Sequence, residues 1–193
     1  MTSTIDRKQK KPIMIIAVIH DDVPESTRKT IYEDHFAPLI KELESFTERR
    51  ADVIFTGGEP HSNFDYKGDN LLGIMSRWES LGSKLLPQIE SEGLPGGALT
   101  KIVLVTKDGV NDETLGIASP YHRFAIASLT GYQIVGHEIG HLLGAKHEDS
   151  EVQFNPWFAD TYMAPKNDMF ASNTYTFSPA NRQNIKNYLA DKD

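Results

Sequence analysis

The chain has 193 residues, 39% of them hydrophobic and 24% charged, with a net charge of −7 and no cysteine. That length and balance fit one globular domain with its own core and exclude a wholly disordered chain. The acidic balance speaks against a nucleic-acid or anionic-membrane surface, and the missing thiols exclude disulfides, thiolate zinc sites and cysteine nucleophiles.

Residues 1–11 are polar and read as frayed. Ile13–Ile19 is the longest apolar run, far short of the ~20 residues of a membrane span. Lys8, Lys10 and Lys11 precede it as they would in a signal peptide. His20-Asp21-Asp22 follows at once, however, without a small-residue cleavage site, so a buried strand is expected. Phe36, Leu39, Ile40 and Leu43 then fall at helical spacing, with Pro38 marking a kink or the helix start. Ala51–Thr56 reads as a second strand closed by Gly57-Gly58. Leu71, Ile74, Met75 and Trp78 repeat the helical pattern, with Asp69 as a cap and Pro87 as a stop or kink. Lys101–Thr106 is a third apolar strand, and Leu115–Ser119 and Arg123–Ala127 are two short ones around Pro120. Strands alternating with helices predict a single α/β domain over 1–193 with a mostly parallel sheet.

The segment Gly136 to Glu148 reads GHEIGHLLGAKHE. Thr130 and Gln133 have capping-box spacing, which predicts a helix starting there. At 100° per residue His141 lies about 40° from His137, so both imidazoles share one face while Val135, Ile139 and Leu142 form an apolar stripe opposite. Two neutral imidazoles one turn apart can hold one zinc ion. Glu138 stands about 100° round, placed for general-base work without ligating. Gly144 can end the helix at positive φ, and the returning chain brings His147 as a third ligand. Three nitrogens leave an open fourth position, the mark of a catalytic rather than a structural site.

His137-Glu138-Ile139-Gly140-His141-Leu142-Leu143-Gly144-Ala145-Lys146-His147 resembles the long zinc signature of the metzincin metallopeptidases. Tyr162-Met163-Ala164-Pro165 is similar to the clan's Met-turn, in the version found in the adamalysin/reprolysin-like family. The resemblance implies a zincin-like domain with a mostly parallel twisted sheet, an antiparallel edge strand, an active-site helix and a C-terminal helix. It makes Leu115, Gly116, Ile117 and Ala118 the substrate-edge strand and Met163 a floor beneath the histidines. Phe177-Ser178-Pro179 opens the C-terminal helix, with Ile185, Tyr188 and Leu189 as its buried face. Glu148 departs from the aspartate usual in adamalysins and resembles astacins, whereas Pro165 stands where astacins place a tyrosine ligand.

The activity implied is peptide hydrolysis with one catalytic Zn²⁺ and a peptide or protein substrate, and the family implies secretion. Rival readings are a narrow-specificity peptidase (an aminopeptidase, or a toxin acting on one protein) and a non-catalytic binding module, for which Glu138 would be superfluous. His20, His35, His61 and His122 read as surface or hydrogen-bonded residues. Asp21-Asp22 and Asp108–Asp112 lack EF-hand spacing, so calcium is not indicated. Nothing in the sequence specifies an oligomeric state.

Overall fold

A computed structural model gives the fold and describes residues 10–94, 96–153, 159–164 and 172–192. Seven consecutive apolar residues form β1 (Ile13–Ile19), and all seven are buried. β2 (Ala51–Thr56) and β3 (Thr100–Thr106) pair with β1 on either side, both parallel. β5 (Phe124–Ser128) joins β3 in parallel, and β4 (Gly116–Ala118) closes the edge antiparallel to β5. The order is β2-β1-β3-β5-β4. Inner strands of such a sheet are covered on both faces, which is why β1, β3 and β5 are wholly buried, β1 as an unbroken apolar run and β3 and β5 as apolar stretches with polar residues at their ends.

Alternate residues of these strands feed two cores. Ile13, Ile15, Ala17, Val103, Val105, Ala125 and Ala127 pack beneath α2 (Ala37–Thr47), α5 (Ile134–Leu142) and α6 (Pro179–Leu189). Met14, Ile16, Val18, Ile102, Leu104 and Ile126 face α3 (Leu71–Gly82) and α4 (Leu85–Ser91), with Trp78 at the centre of that layer. A helical turn α1 (Glu25–Arg28) and a π-helical segment Tyr32–Phe36 lead into α2, and β6 (Val152–Gln153), β7 (Ala159–Asp160) and β8 (Ser172–Asn173) form a small second sheet. The chain is thus a single α/β domain with helices on both faces of a mostly parallel sheet.

Several local expectations change. Pro38 does begin α2, sitting in its first turn. The cap of α3 is Asn70 rather than Asp69, because the Asn70 carboxamide accepts the Gly73 N–H at 3.0 Å. Pro87 neither stops nor kinks α3, which ends at Gly82; it lies in the first turn of α4, where a missing N–H costs no bond. Lys10 is not loose, since its ammonium meets Glu48 at 3.0 Å.

Candidate active site

Helix α5 starts at Ile134, not at a Thr130–Gln133 capping box. The Thr130 hydroxyl is hydrogen-bonded to Ser128 Oγ at 2.9 Å, and the Ile134 N–H goes to the Gly131 carbonyl. The other end follows the sequence. Gly144 takes φ 92°, while Ala145 N–H bonds the Gly140 carbonyl and Gly144 N–H the His141 carbonyl, at 2.9 and 3.0 Å. This double bond pattern is the Schellman stop that a left-handed glycine allows. The chain then reverses into the 3₁₀ turn His147–Asp149.

The reversal brings three imidazoles to one point. His147 Nε2 lies 2.9 Å from His137 Nε2 and 3.0 Å from His141 Nε2. On the far side of each ring, His137 Nδ1 donates to the Tyr162 carbonyl at 2.7 Å and His141 Nδ1 to the Ala145 carbonyl at 3.1 Å. A carbonyl can only accept, so both protons sit on Nδ1 and both Nε2 lone pairs are bare. Burial pushes the His137 pKa down to about 4, helped by His141 and opposed by the Tyr162 carbonyl, and burial also lowers His141. Both rings are neutral at neutral pH. One proton on His147 could serve one of the converging lone pairs but not both, whereas a cation serves all three. Three nitrogen donors whose separations approach the ~3.3 Å edge of a tetrahedron with ~2.0–2.1 Å bonds fit zinc. Among the described residues these three histidines are the one cluster able to hold a metal ion.

Glu138 is 5% exposed, and burial pushes its carboxyl pKa up to about 8. It lies against β4, where a Cβ on Gly116 would stand 2.6 Å from Glu138 Oε1, so only glycine leaves room there. Leu115 and Gly116 join His137, Glu138, His147 and Ala164 around a cleft of about 270 Å³. Ile117 and Ala118 continue the same edge strand, half-buried and paired with Ile126 and Ala125. A larger hollow, about 650 Å³, lies at the amino-terminal ends of the strands beside Pro12, Leu94 and Leu99. It contains no such donor set, so chemistry rather than volume locates the site.

Met163 is fully buried, with Tyr162 and Ala164 also buried beside it. A methyl on Gly140 would stand 2.8 Å from the Met163 sulfur, and one on Gly136 would stand 2.3 Å from the Tyr162 ring. The two glycines therefore let this segment press directly against α5. Pro165 lies outside the described residues.

The other histidines stay apart from the cluster. His20 and His61 bond the Phe64 and Leu81 carbonyls at 3.1 and 3.3 Å, and His122 is exposed. His35 is buried against Tyr132, its Nδ1 without a partner among the described residues. Asp22 is engaged by Tyr66 Oη at 2.5 Å and by the Lys107 N–H at 3.0 Å.

Sequence reasoning missed the groups that hold the helix and its loop. Lys101, fully buried in line with Val103 and Val105, donates to the carbonyls of His122 and Leu142 and to Tyr188 Oη, at 2.8, 3.0 and 2.7 Å. Leu142 is the last residue of α5, where a cation also suits the helix dipole. The only local hint was a lysine opening an otherwise apolar strand.

The fold is consistent with a zincin-like architecture, and α5 and the turn that follows it bring together three histidines that could hold a metal ion. Solved structures share the fold, two of them as follows. A zinc-dependent peptidase from Methanocorpusculum labreanum superposes with a TM-score of 0.52 at 21% identity, over 89% of this chain and 99% of the other. Metalloproteinase-II from Bacteroides fragilis gives 0.55 at 16% identity, over 93% of this chain but only 56% of its own length. No protein-family model and no curated protein matches the chain. No helix among the described residues is long and apolar enough to cross a membrane.

Proposed function

We propose that this chain is a zinc-dependent endopeptidase of metzincin type, closest to the adamalysin/reprolysin-like family and secreted as that family implies. The observation that carries this reading is the meeting of three Nε2 atoms beside a buried glutamate and an edge strand. His137, His141 and His147 would hold a single ion. Zinc held there supplies Lewis-acid chemistry, polarising the scissile carbonyl and acidifying water.

Glu138 takes the proton of the attacking water and passes it to the leaving amine. Its burial favours the protonated form it must reach midway, and a divalent cation facing it favours the carboxylate it starts from. The substrate lies extended along Leu115–Ala118, pairing its backbone with the outer edge of β4. Met163 supports the histidine-bearing helix by packing, its polarizable sulfur set against Gly140. A binding module on this fold would have no use for a buried Glu138, which argues for catalysis.

Cleavage of a denatured protein, mapped by mass spectrometry with and without chelator, tests the reading. Internal cuts should vanish with chelator. Glu138→Ala should keep its zinc yet lose at least ~10²–10⁴ in turnover. Near-normal cleavage by that variant, or cleavage indifferent to chelator, would contradict the mechanism.

A further inference from the structure

We infer that Asn181, on the C-terminal helix, is a positioning residue for the third metal ligand, an inference that rests on the three-histidine reading above. The need for such a residue follows from a contrast within the cluster. His137 and His141 ride on α5, which is buried along most of its length. His147 sits on a single 3₁₀ turn with no buried residue, so apolar packing cannot fix it.

What fixes it is polar and comes from α6. Asn181 is 0% exposed. Its Oδ1 accepts the Lys146 N–H at 2.7 Å, and its Nδ2 donates to the Lys146 carbonyl at 3.0 Å. One carboxamide thus engages both main-chain groups of the residue immediately before His147, as a strand partner would. The reverse amide orientation would set oxygen against oxygen, so the main chain fixes which way Asn181 points. Ser178 Oγ donates to the Asp149 carbonyl, and Asn184 Nδ2 donates to Asp149 Oδ2 at 2.6 Å, two residues beyond His147. Ser178, which caps α6, and Asn181 and Asn184 within it follow one another at helical spacing of three, so one face of the helix and its cap brackets the ligand on both sides.

The helix providing this grip is itself pinned. Arg182 forms two 2.9 Å bonds to the two oxygens of the buried Glu42 carboxylate, and Glu42 Oε1 also accepts the Phe177 N–H at 2.8 Å. Meanwhile Glu148, where the resembling family has aspartate, points outward with 71% of its side chain exposed and meets Lys146 only at 4.0 Å. The anchoring of the loop therefore falls to Asn181 and Asp149. No isostere replaces Asn181: aspartate loses the donor and faces a carbonyl, while alanine leaves two buried main-chain groups unpaired.

The test is zinc affinity of the full chain, measured by competition with a chromogenic chelator, and the visible spectrum of the Co²⁺-loaded protein. Asn181→Ala should weaken zinc by about 10- to 100-fold and change the Co²⁺ ligand-field bands, the loss usual for a removed outer-shell support. Asn181→Asp, which keeps the acceptor, should lie between it and the wild type. Leu189→Ala, a buried position on the same helix far from the loop, should lower the melting temperature comparably yet keep both affinity and spectrum. Wild-type affinity in Asn181→Ala, or an equal loss in Leu189→Ala, would overturn the inference. If Asn181→Ala does not fold, Asn184→Ala removes the bond to the Asp149 carboxylate and the 3.4 Å bond to Asn181 Oδ1, leaving both bonds to Lys146 in place, and should still weaken zinc several-fold; no change there also overturns it. Zinc binding that His141→Ala leaves intact overturns the site reading and this inference with it.

Discussion

On the α3–α4 side of the sheet, Trp78, Ile74, Met75, Leu85 and Ile89 cover Ile102, Leu104 and Ile126 with apolar atoms, and the indole N–H of Trp78 lies buried without a partner among the described residues. On the α5 side the same strands face helices held as well by buried polar groups: Lys101 on Leu142, Glu42 on Arg182 and Phe177, Asn181 on Lys146, and Tyr162 on His137. Apolar burial is non-directional and tolerates small shifts, so it suits a layer whose task is stability. Hydrogen bonds fix direction, and buried ones are costly to leave unmade, so they suit a layer that must hold imidazoles to a fraction of an ångström.

The sharpest way to break this contrast is to remove a ligand. His141→Ala should cost more than the 10–100-fold typical of losing a mere outer-shell support. Elemental analysis should find it nearly zinc-free, with the fold retained. Next comes the apolar layer. Trp78→Ala should lose about 3–5 kcal/mol of stability in urea unfolding, while the folded fraction keeps wild-type zinc affinity. A Trp78 variant that lost zinc while folded would erase the division of labour between the two faces.

Met163 sits where the two kinds of support meet. Met163→Leu conserves volume and should cost under ~1.5 kcal/mol with zinc retained, whereas Met163→Ala should cost ~2–5 kcal/mol through its cavity. Equal zinc loss in both variants, at equal stability, would replace packing by direct ligation.

Lys101 gives an effect that depends on pH. Burial, with Arg123 and Lys192 nearby, pulls its pKa from 10.5 down to about 7. Below that value both folded and unfolded chains carry the proton, and the cost of the buried charge is fully present. Between about 7 and 10.5 the unfolded chain binds more protons, so stability rises with pH. Wild type should therefore gain on Lys101→Met from about pH 7 to about pH 9, by at most ~1.4 kcal/mol per pH unit. A constant difference would mean that the three acceptors hold the ammonium against its burial.

What the sequence revealed follows the range of the interactions involved. β1 and β2 match their predicted runs residue for residue and β3 begins one residue early, because inner strands such as β1 and β3, buried on both faces, are mostly apolar, and the edge strand β2 keeps enough apolar residues between its polar ones to show as a strand. The histidine spacing was legible because it depends on one helix and its stop. The start of α5 was misplaced because a hydroxyl–hydroxyl bond to Ser128 took the Thr130 side chain from its capping role. α4 was hidden by Pro87, read as a terminator when it lies in a first turn. Lys101 and Asn181 were invisible as supports: their partners Leu142 and Lys146 lie 41 and 35 residues away, and no local pattern records such pairs.

β1 lies between β2 and β3, so Ile13 must find Ala51 and Met14 must find Thr100 before the sheet exists. Parallel pairing over such separations closes long loops before contacts reward them, which makes it the slow event of folding. β5 is laid on β3, and α5 in turn rests on β5. An ion held by the proposed site would therefore reach scaffolding already built, the reverse of a zinc finger, whose chain collapses around its metal. Chelation should accordingly silence the protein while its far-ultraviolet circular dichroism stays as it was.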